Sequence, residues 1–512
     1  MPSTDRPRNI PLVMIMGATF ALTACAPDPS PQRHLSIALN ECRVPAVSTA
    51  VKCATYDVFE NRESKTGRKI GLNIVIYPAS ARSKEPDPIF VFAGGPGQAA
   101  TDVIEAVVPL LSGLTTKRDV VFIDQRGTGK SNLLNCKFPD DESPEMASEA
   151  SRRALTLKMV AACRDELAQR ADLTQYGSTT AMADYDEVRA ALGYDKINLW
   201  GGSYGTRTAQ EYLRRYPDHV RSVILDGVAS PSMALPASFA RDASTVLESA
   251  FKACETQPAC HKNYPDLRKG FAALLDRLDK KPARLAVQDP LTNTTREATI
   301  SRQSVTTQVF SMLYAPQLVA ILPEVLKQAD TGNFAPLFAA TGGFIEFAED
   351  KIAFGMRLSV SCNEDVPRID AAARAAADKL YPFQSSFIRE FSNACAGWPK
   401  GKVADDFHTP VRSGKPVLIF SGGLDPVTPQ IFGDEVKKTF SNSVHLIAPN
   451  IGHGVASHGC APKLMKQFVE KASVDGLDGE CLKRIPRPSY FQAMVEKPKK
   501  TSERESNSGD KP

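Results

Sequence analysis

Short apolar runs bounded by turn residues recur in two separate parts of the chain. KIGLNIVIYPAS alternates like a strand with one buried face, and predicts the first strand. PIFVFAGGPG, DVVFIDQRGTG, KINLWGGSYG, VRSVILDGV, PVLIFSGGLDPVTP and SVHLIAPNIGHG follow as strands apolar along their whole length. TTAMADYDEVRAALG and TAQEYLRRYP, lying among them, carry the helical period. Strand and helix in alternation, with both strand faces apolar, predict an α/β fold whose mostly parallel sheet is covered by helices on both sides. Chemistry in such a sheet gathers beyond the carboxyl ends of the strands.

The strand rhythm stops at Val228 and returns at Val417, and helix-forming stretches such as SFARDASTVLESAFKAC and IDAAARAAADKLY fill the interval. A separate domain on a linker fits this less well than an inserted helical lid, because sheet-like sequence resumes afterwards. The expected division is therefore an export signal over 1–24, a tether over 25–40, sheet core over 41–228, helical lid over 229–407, further core over 408–490 and a polar tail over 491–512.

Charge adds an exclusion. With 62 basic against 58 acidic residues, a net charge of +4 gives no field that would recruit nucleic acid. The N-terminus places Arg6 and Arg8 before the apolar stretch Ile10 to Ala21 and the ending Leu22, Thr23, Ala24, Cys25, too short to span a bilayer. That ending resembles the bacterial lipobox, which implies lipidation of Cys25 as the new N-terminus, and Ala26 after it points to the outer membrane. Of eleven cysteines, setting Cys25 aside leaves an even ten, which favours disulfides in an exported protein. They fall in sequential couples, Cys42 with Cys53, Cys136 with Cys163, Cys254 with Cys260, Cys362 with Cys395 and Cys460 with Cys481, although other connectivities stay open. No CxxC or HExxH frame suggests a metal, and no cofactor is expected.

Ser203 stands in Gly201-x-Ser203-x-Gly205 between the strand ending at Trp200 and a helix beginning near Tyr204, the arrangement of a nucleophile elbow. A serine hydroxyl needs a base to take its proton and an acid to orient that base. In this architecture the order is serine, acid, histidine. Asp425, after VLIFSGGL and before Pro426, and His453, framed by Gly452 and Gly454 after HLIAPN, meet that order at strand ends. Asp226 also ends a strand and is the alternative acid; Asp124 precedes the serine and braces its RGTG turn; His458, His219 and His445 lack the same setting. DQRGTGKS falls short of a phosphate-binding loop because Asp124 stands where its first glycine belongs. FVFAGGPGQ follows an early strand and is the expected oxyanion loop, with Gly95 and Tyr204 N–H as donors, since Pro96 has none.

Taken together, AGGPGQ, DQRGTGKS, GGSYGT, LDGV, SCNED, SGGLDPVTP and GHG resemble the α/β-hydrolase peptidases of the proline iminopeptidase family, in particular the secreted tripeptidyl aminopeptidase branch with its C-terminal region. The likeness runs from Cys42 to Leu482, and departs where many members have His before GGPG and this chain has Ala93. It implies the same three residues, Ser203, Asp425 and His453, as nucleophile, acid and base. It also implies peptide substrates with a free N-terminus, whose ammonium would be held by Glu364 and Asp365. A carboxylic ester hydrolase with the same triad is the alternative, and a binding scaffold without activity is a third reading that an intact triad argues against.

Overall fold

A computed structural model describes residues 37–45, 47–136, 149–288, 293 and 295–492. The export signal, residues 25–36 of the tether with Cys25, and all but the first two residues of the polar tail lie outside the described residues.

Nine strands form one sheet: β1 (Asn40–Cys42), β2 (Val51–Phe59), β3 (Lys69–Tyr77), β4 (Ile89–Phe92), β5 (Val120–Ile123), β6 (Ile197–Gly202), β7 (Val220–Asp226), β10 (Val417–Gly422) and β11 (Ser443–Ala448). Their spatial order is β1-β2-β3-β5-β4-β6-β7-β10-β11. The first three strands are antiparallel, and from β5 onward every pairing is parallel. The predicted first strand is thus the third. The one before it, VKCATYDVF, buries Val51, Ala54 and Val58 but carries Lys52, Thr55 and Asp57 on exposed positions near the sheet edge, which hid its period.

The central strands read as continuous apolar runs because both faces are covered. Side chains in a strand alternate sides, so Phe90, Phe92, Val121, Ile123, Val417 and Ile419 enter one hydrophobic cluster. Their neighbours Ile89, Val91, Val120, Phe122, Leu418 and Phe420 enter the other.

β7 and β10 are parallel neighbours, with Val223 opposite Val417, so the chain between them leaves the sheet and returns beside its exit. That excursion is mainly helical and has its own core, including Phe251, Phe271, Leu275, Val305, Met312 and Leu326. It also holds an antiparallel hairpin, β8 (Ala283–Gln288) with β9 (Thr295–Ile300), where only helices were expected. A second cluster joins Met356, Val360 and Trp398 of the excursion to Leu134, Leu167 and Tyr176 from the β5 to β6 connection. The wall above the sheet is therefore built from two stretches of chain.

Five disulfides join the sequential couples: Cys42–Cys53, Cys136–Cys163, Cys254–Cys260, Cys362–Cys395 and Cys460–Cys481. Such bonds persist in oxidising compartments and suggest an exported protein. Among the described residues no helix is long and apolar enough to cross a membrane.

Candidate active site

β6 runs into the helix Tyr204–Arg215 through Ser203, whose φ of 55° and ψ of −127° are rare for a residue with a side chain. The flanking glycines are required by contact. A Cβ on Gly201 would lie 2.5 Å from the Gly205 carbonyl oxygen, and one on Gly205 would lie 2.0 Å from that of Phe92. The corner is held by Ser203 N–H donating to Asp226 O at 2.9 Å, and by Thr206 N–H and Oγ1 donating to Ser203 O at 2.9 and 2.6 Å. The result presents Ser203 at the carboxyl end of the sheet.

Asp425 follows β10 and is fully buried, yet every acceptor position is used. Oδ1 takes the N–H groups of Val427 and Thr428 at 2.9 and 2.8 Å. Oδ2 takes the Thr428 hydroxyl at 2.7 Å and His453 Nδ1 at 2.8 Å. Burial alone would raise this carboxyl, but the charge of His453 and these hydrogen bonds outweigh it and hold the group below its ordinary 3.8. For His453, burial works to lower the pKa and Asp425 more than reverses it, leaving the imidazole above 6.5. The same residue is fixed from the other side: its backbone N–H donates to Tyr314 O at 3.1 Å, and the Tyr314 ring meets the imidazole edge-on at 5.4 Å between centroids. Gly452 permits this approach, since a Cβ there would lie 2.3 Å from the Tyr314 oxygen.

Asp226, the alternative acid, has another task. Its two oxygens accept from the N–H groups of Val455 and Ala456 at 2.8 and 2.9 Å, which anchors the loop just after His453. Burial pushes its carboxyl up. Asp226 and Gly227 lie between Ser203 and His453: Asp226 O takes Ser203 N–H at 2.9 Å, and a Cβ on Gly227 would lie 3.2 Å from His453 Cε1. Asp124 accepts from Thr101 N–H, Lys130 N–H and Asn73 Nδ2 and so supports the RGTG turn. His219 pairs with Asp186 and His445 with Asp434, while His458 contacts Ser457.

The loop after β4 abuts the serine: a Cβ on Gly94 would come within 3.2 Å of Ser203 Cβ. Gly95, Pro96, Ser203 and Tyr204 form the floor of a cavity of about 90 Å³, with Val427 and Thr428 at its side. Leu235, Phe239, Tyr314, Arg357, Ser361 and Phe391 from the excursion close it. Glu364 and Asp365 lie behind this wall. Asp365 accepts from Arg207 Nη1 at 2.7 Å and from Leu235 N–H at 3.0 Å, forming a buried ion pair. Glu364 accepts Ser178 N–H at 2.6 Å and Ser178 Oγ–H at 2.7 Å, and Ser178 Oγ in turn lies 2.6 Å from the Tyr204 hydroxyl. Burial drives the Glu364 carboxyl up to about 7, with the Asp365 charge adding to the rise and the Ser178 bonds opposing it. Sequence reading missed Thr428, Arg207 and Arg357. Thr428 had a signal in its place three residues after Asp425; the two arginines had none.

The strand order, the serine elbow and the strand-end positions of Asp425 and His453 define an α/β hydrolase. The chain belongs to the alpha/beta hydrolase fold family, which matches residues 87–456, and it is a serine hydrolase. It is similar to Carboxylesterase B of Mycobacterium tuberculosis, 27% identical over 453 residues that cover 81% of this chain and 83% of that protein. Likewise it is similar to the tripeptidyl aminopeptidase of Streptomyces coelicolor, 24% identical over 477 residues that cover 86% of this chain and 84% of that protein.

Proposed function

We propose that this protein is an exported serine aminopeptidase, lipid-anchored through Cys25, that releases residues of tripeptide or prolyl type from free peptide N-termini. The observation that carries acyl transfer is the hydrogen bond from His453 Nδ1 to the buried Asp425 beside the Ser203 elbow. The bond fixes the tautomer in which Nε2 is free to act as base. Ser203 attacks the scissile carbonyl as His453 takes its proton, and the carbonyl oxygen is received by the N–H groups of Gly95 and Tyr204. The leaving amine takes the proton back, and water cleaves the acyl-enzyme by the same route in reverse.

The likeness to a tripeptidyl aminopeptidase supports a peptide substrate. The two carboxylates expected to hold the ammonium both stand back from the cavity, Asp365 paired with Arg207 and Glu364 with Ser178. A role for Glu364 would therefore run through Ser178 and the Tyr204 hydroxyl, Tyr204 being a lining residue. The likeness to a carboxylesterase favours the second reading, an ester hydrolase with the same triad.

Protein carrying its five disulfides, incubated with peptides whose N-termini are free or acetylated, separates the two. Loss of N-terminal residues only from free peptides, absent in Ser203→Ala, supports the aminopeptidase. Absence of any peptide cleavage, while Ser203 still reacts with a phosphonate, refutes it in favour of the esterase. Metabolic labelling with a fatty acid, abolished by Cys25→Ser, tests the anchor.

A further inference from the structure

Among the side chains that line the Ser203 cavity, one carries a charge. Arg357 projects from the helix Phe354–Glu364 with Ser361 one turn further on, and both border the cavity. Its guanidinium lies over the Phe391 ring, 4.7 Å from the centroid. No hydrogen bond or ion pair to the guanidinium is present among the described residues, and the side chain is only partly exposed. The other wall residues, Leu235, Phe239, Tyr314 and Phe391, are mostly apolar. Arg207, by contrast, spends its charge on Asp365 behind the wall.

A guanidinium presents five N–H donors in a planar fork that fits a carboxylate with two parallel bonds. Held against an aromatic face in a half-buried site, it has lost part of its hydration and gained only a cation–π contact. A substrate carboxylate supplies what is missing, and it does so beside the reacting serine. A competing carboxylate is Glu390, next to Phe391 on its helix, which feels the charge of Arg357 but forms no ion pair with it among the described residues.

We propose that Arg357 is a specificity-determining residue that receives a carboxylate of the substrate, so the enzyme prefers acyl groups or peptides bearing an acidic group within one side chain's reach of the scissile bond. This rests on reading the Ser203 cavity as the substrate site, and not on whether the scissile bond is an amide or an ester.

The test compares two p-nitrophenyl esters of equal chain length, the glutarate half-ester and the valerate ester, on wild type, Arg357→Gln, Arg357→Lys and Glu390→Gln. The readout is the ratio of kcat/KM for the acidic over the neutral ester, which cancels differences in folded fraction. The wild type should favour the half-ester, Arg357→Gln should lower the ratio about 10- to 100-fold, the worth of one charge-assisted pair, and Arg357→Lys should restore part of it. Glu390→Gln should raise it. A ratio that Arg357→Gln leaves unmoved overturns the proposal. Calorimetric binding of glutarate to Ser203→Ala reads the same contact without turnover: binding lost on adding Arg357→Gln supports it, and absence of binding to the Ser203→Ala protein overturns it. Failure of peptide cleavage in the earlier experiment affects neither result. Peptides with Glu or Gln inside, and with free or amidated C-termini, then tell which carboxylate Arg357 receives.

Discussion

Replacing Glu364 by Gln removes a charge that the fold disfavours while keeping the shape that holds it. The amide oxygen can still accept Ser178 N–H, and its NH2 can donate to Ser178 Oγ, whose own hydrogen then turns to the Tyr204 hydroxyl. In the folded protein burial carries the Glu364 carboxyl from an ordinary 4.5 to about 7. A carboxyl raised on folding binds its proton more tightly in the native state, so its contribution is fully present below pH 4.5 and is lost as pH climbs through about 7. At about 1.4 kcal/mol per pH unit over that interval, the loss amounts to about 3 kcal/mol. The assay is urea unfolding, with disulfides intact, of both proteins between pH 4 and pH 8.5, taken as the difference between them so that other titrating groups cancel. Wild type should lose about 3 kcal/mol relative to Glu364→Gln across the interval, and the difference should then level off above it. A flat difference, or a Gln variant that weakens as pH rises, refutes the reasoning.

Asp425→Asn should lower kcat on the order of 10³- to 10⁴-fold. Since Asp425 holds His453 above 6.5, and only the neutral imidazole accepts a proton, the acid limb of kcat/KM should also move to lower pH in that variant. Thr428→Val removes one donor to Asp425 Oδ2 and should cost about 10-fold in kcat with Ser203 still open to phosphonate labelling. Gly205→Ala forces a Cβ to 2.0 Å from the Phe92 carbonyl, a backbone atom that cannot yield, and should destabilise by about 3 kcal/mol or more, read as a fall in Tm.

How far the sequence reveals this arrangement depends on where each signal resides. β4, β5 and β10 are legible because both faces are buried and each turn at their ends is marked by Gly, Asp or Pro. β2 is not, because beside the short edge strand it leaves Lys52 and Asp57 exposed. In the β8–β9 pair Ala283, Leu285 and Val287 alternate with Arg284, Ala286 and Gln288, but the partner TREATI begins with three polar residues and gives no matching signal. Asp425 and His453 can be paired from sequence since each follows a readable strand, and chain order limits the choice. The partners of Glu364 cannot: Ser178 lies 186 residues away on another element, and nothing in SCNED says that one of its carboxylates will face a serine and the other an arginine. Arg357 is a lone cation on its helix, and nothing in its sequence setting tells that its guanidinium lies over the Phe391 ring and has no ion-pair partner among the described residues.

The excursion between β7 and β10 is more than a cover. It is joined to the sheet core at two points that border the reacting groups. Ala353 N–H donates to Gly97 O at 2.9 Å, one residue past Pro96 in the loop after β4, and His453 N–H donates to Tyr314 O at 3.1 Å. A Cβ on Gly97 would lie 2.8 Å from the Ala353 oxygen, so the first contact is as close as backbone permits. A movement of the whole excursion away from the sheet breaks both bonds, at a net cost of about 1 kcal/mol each. It would also free the loops that carry Gly95 and His453. The same contacts therefore tie the loops of Gly97 and His453 directly to the excursion that lines the cavity. On the proposed reading of the Ser203 cavity, a substrate that touches Arg357, Phe239 and Phe391 bears on the loops of Gly97 and His453 as well, which couples selectivity to the rate of acylation and not to binding alone.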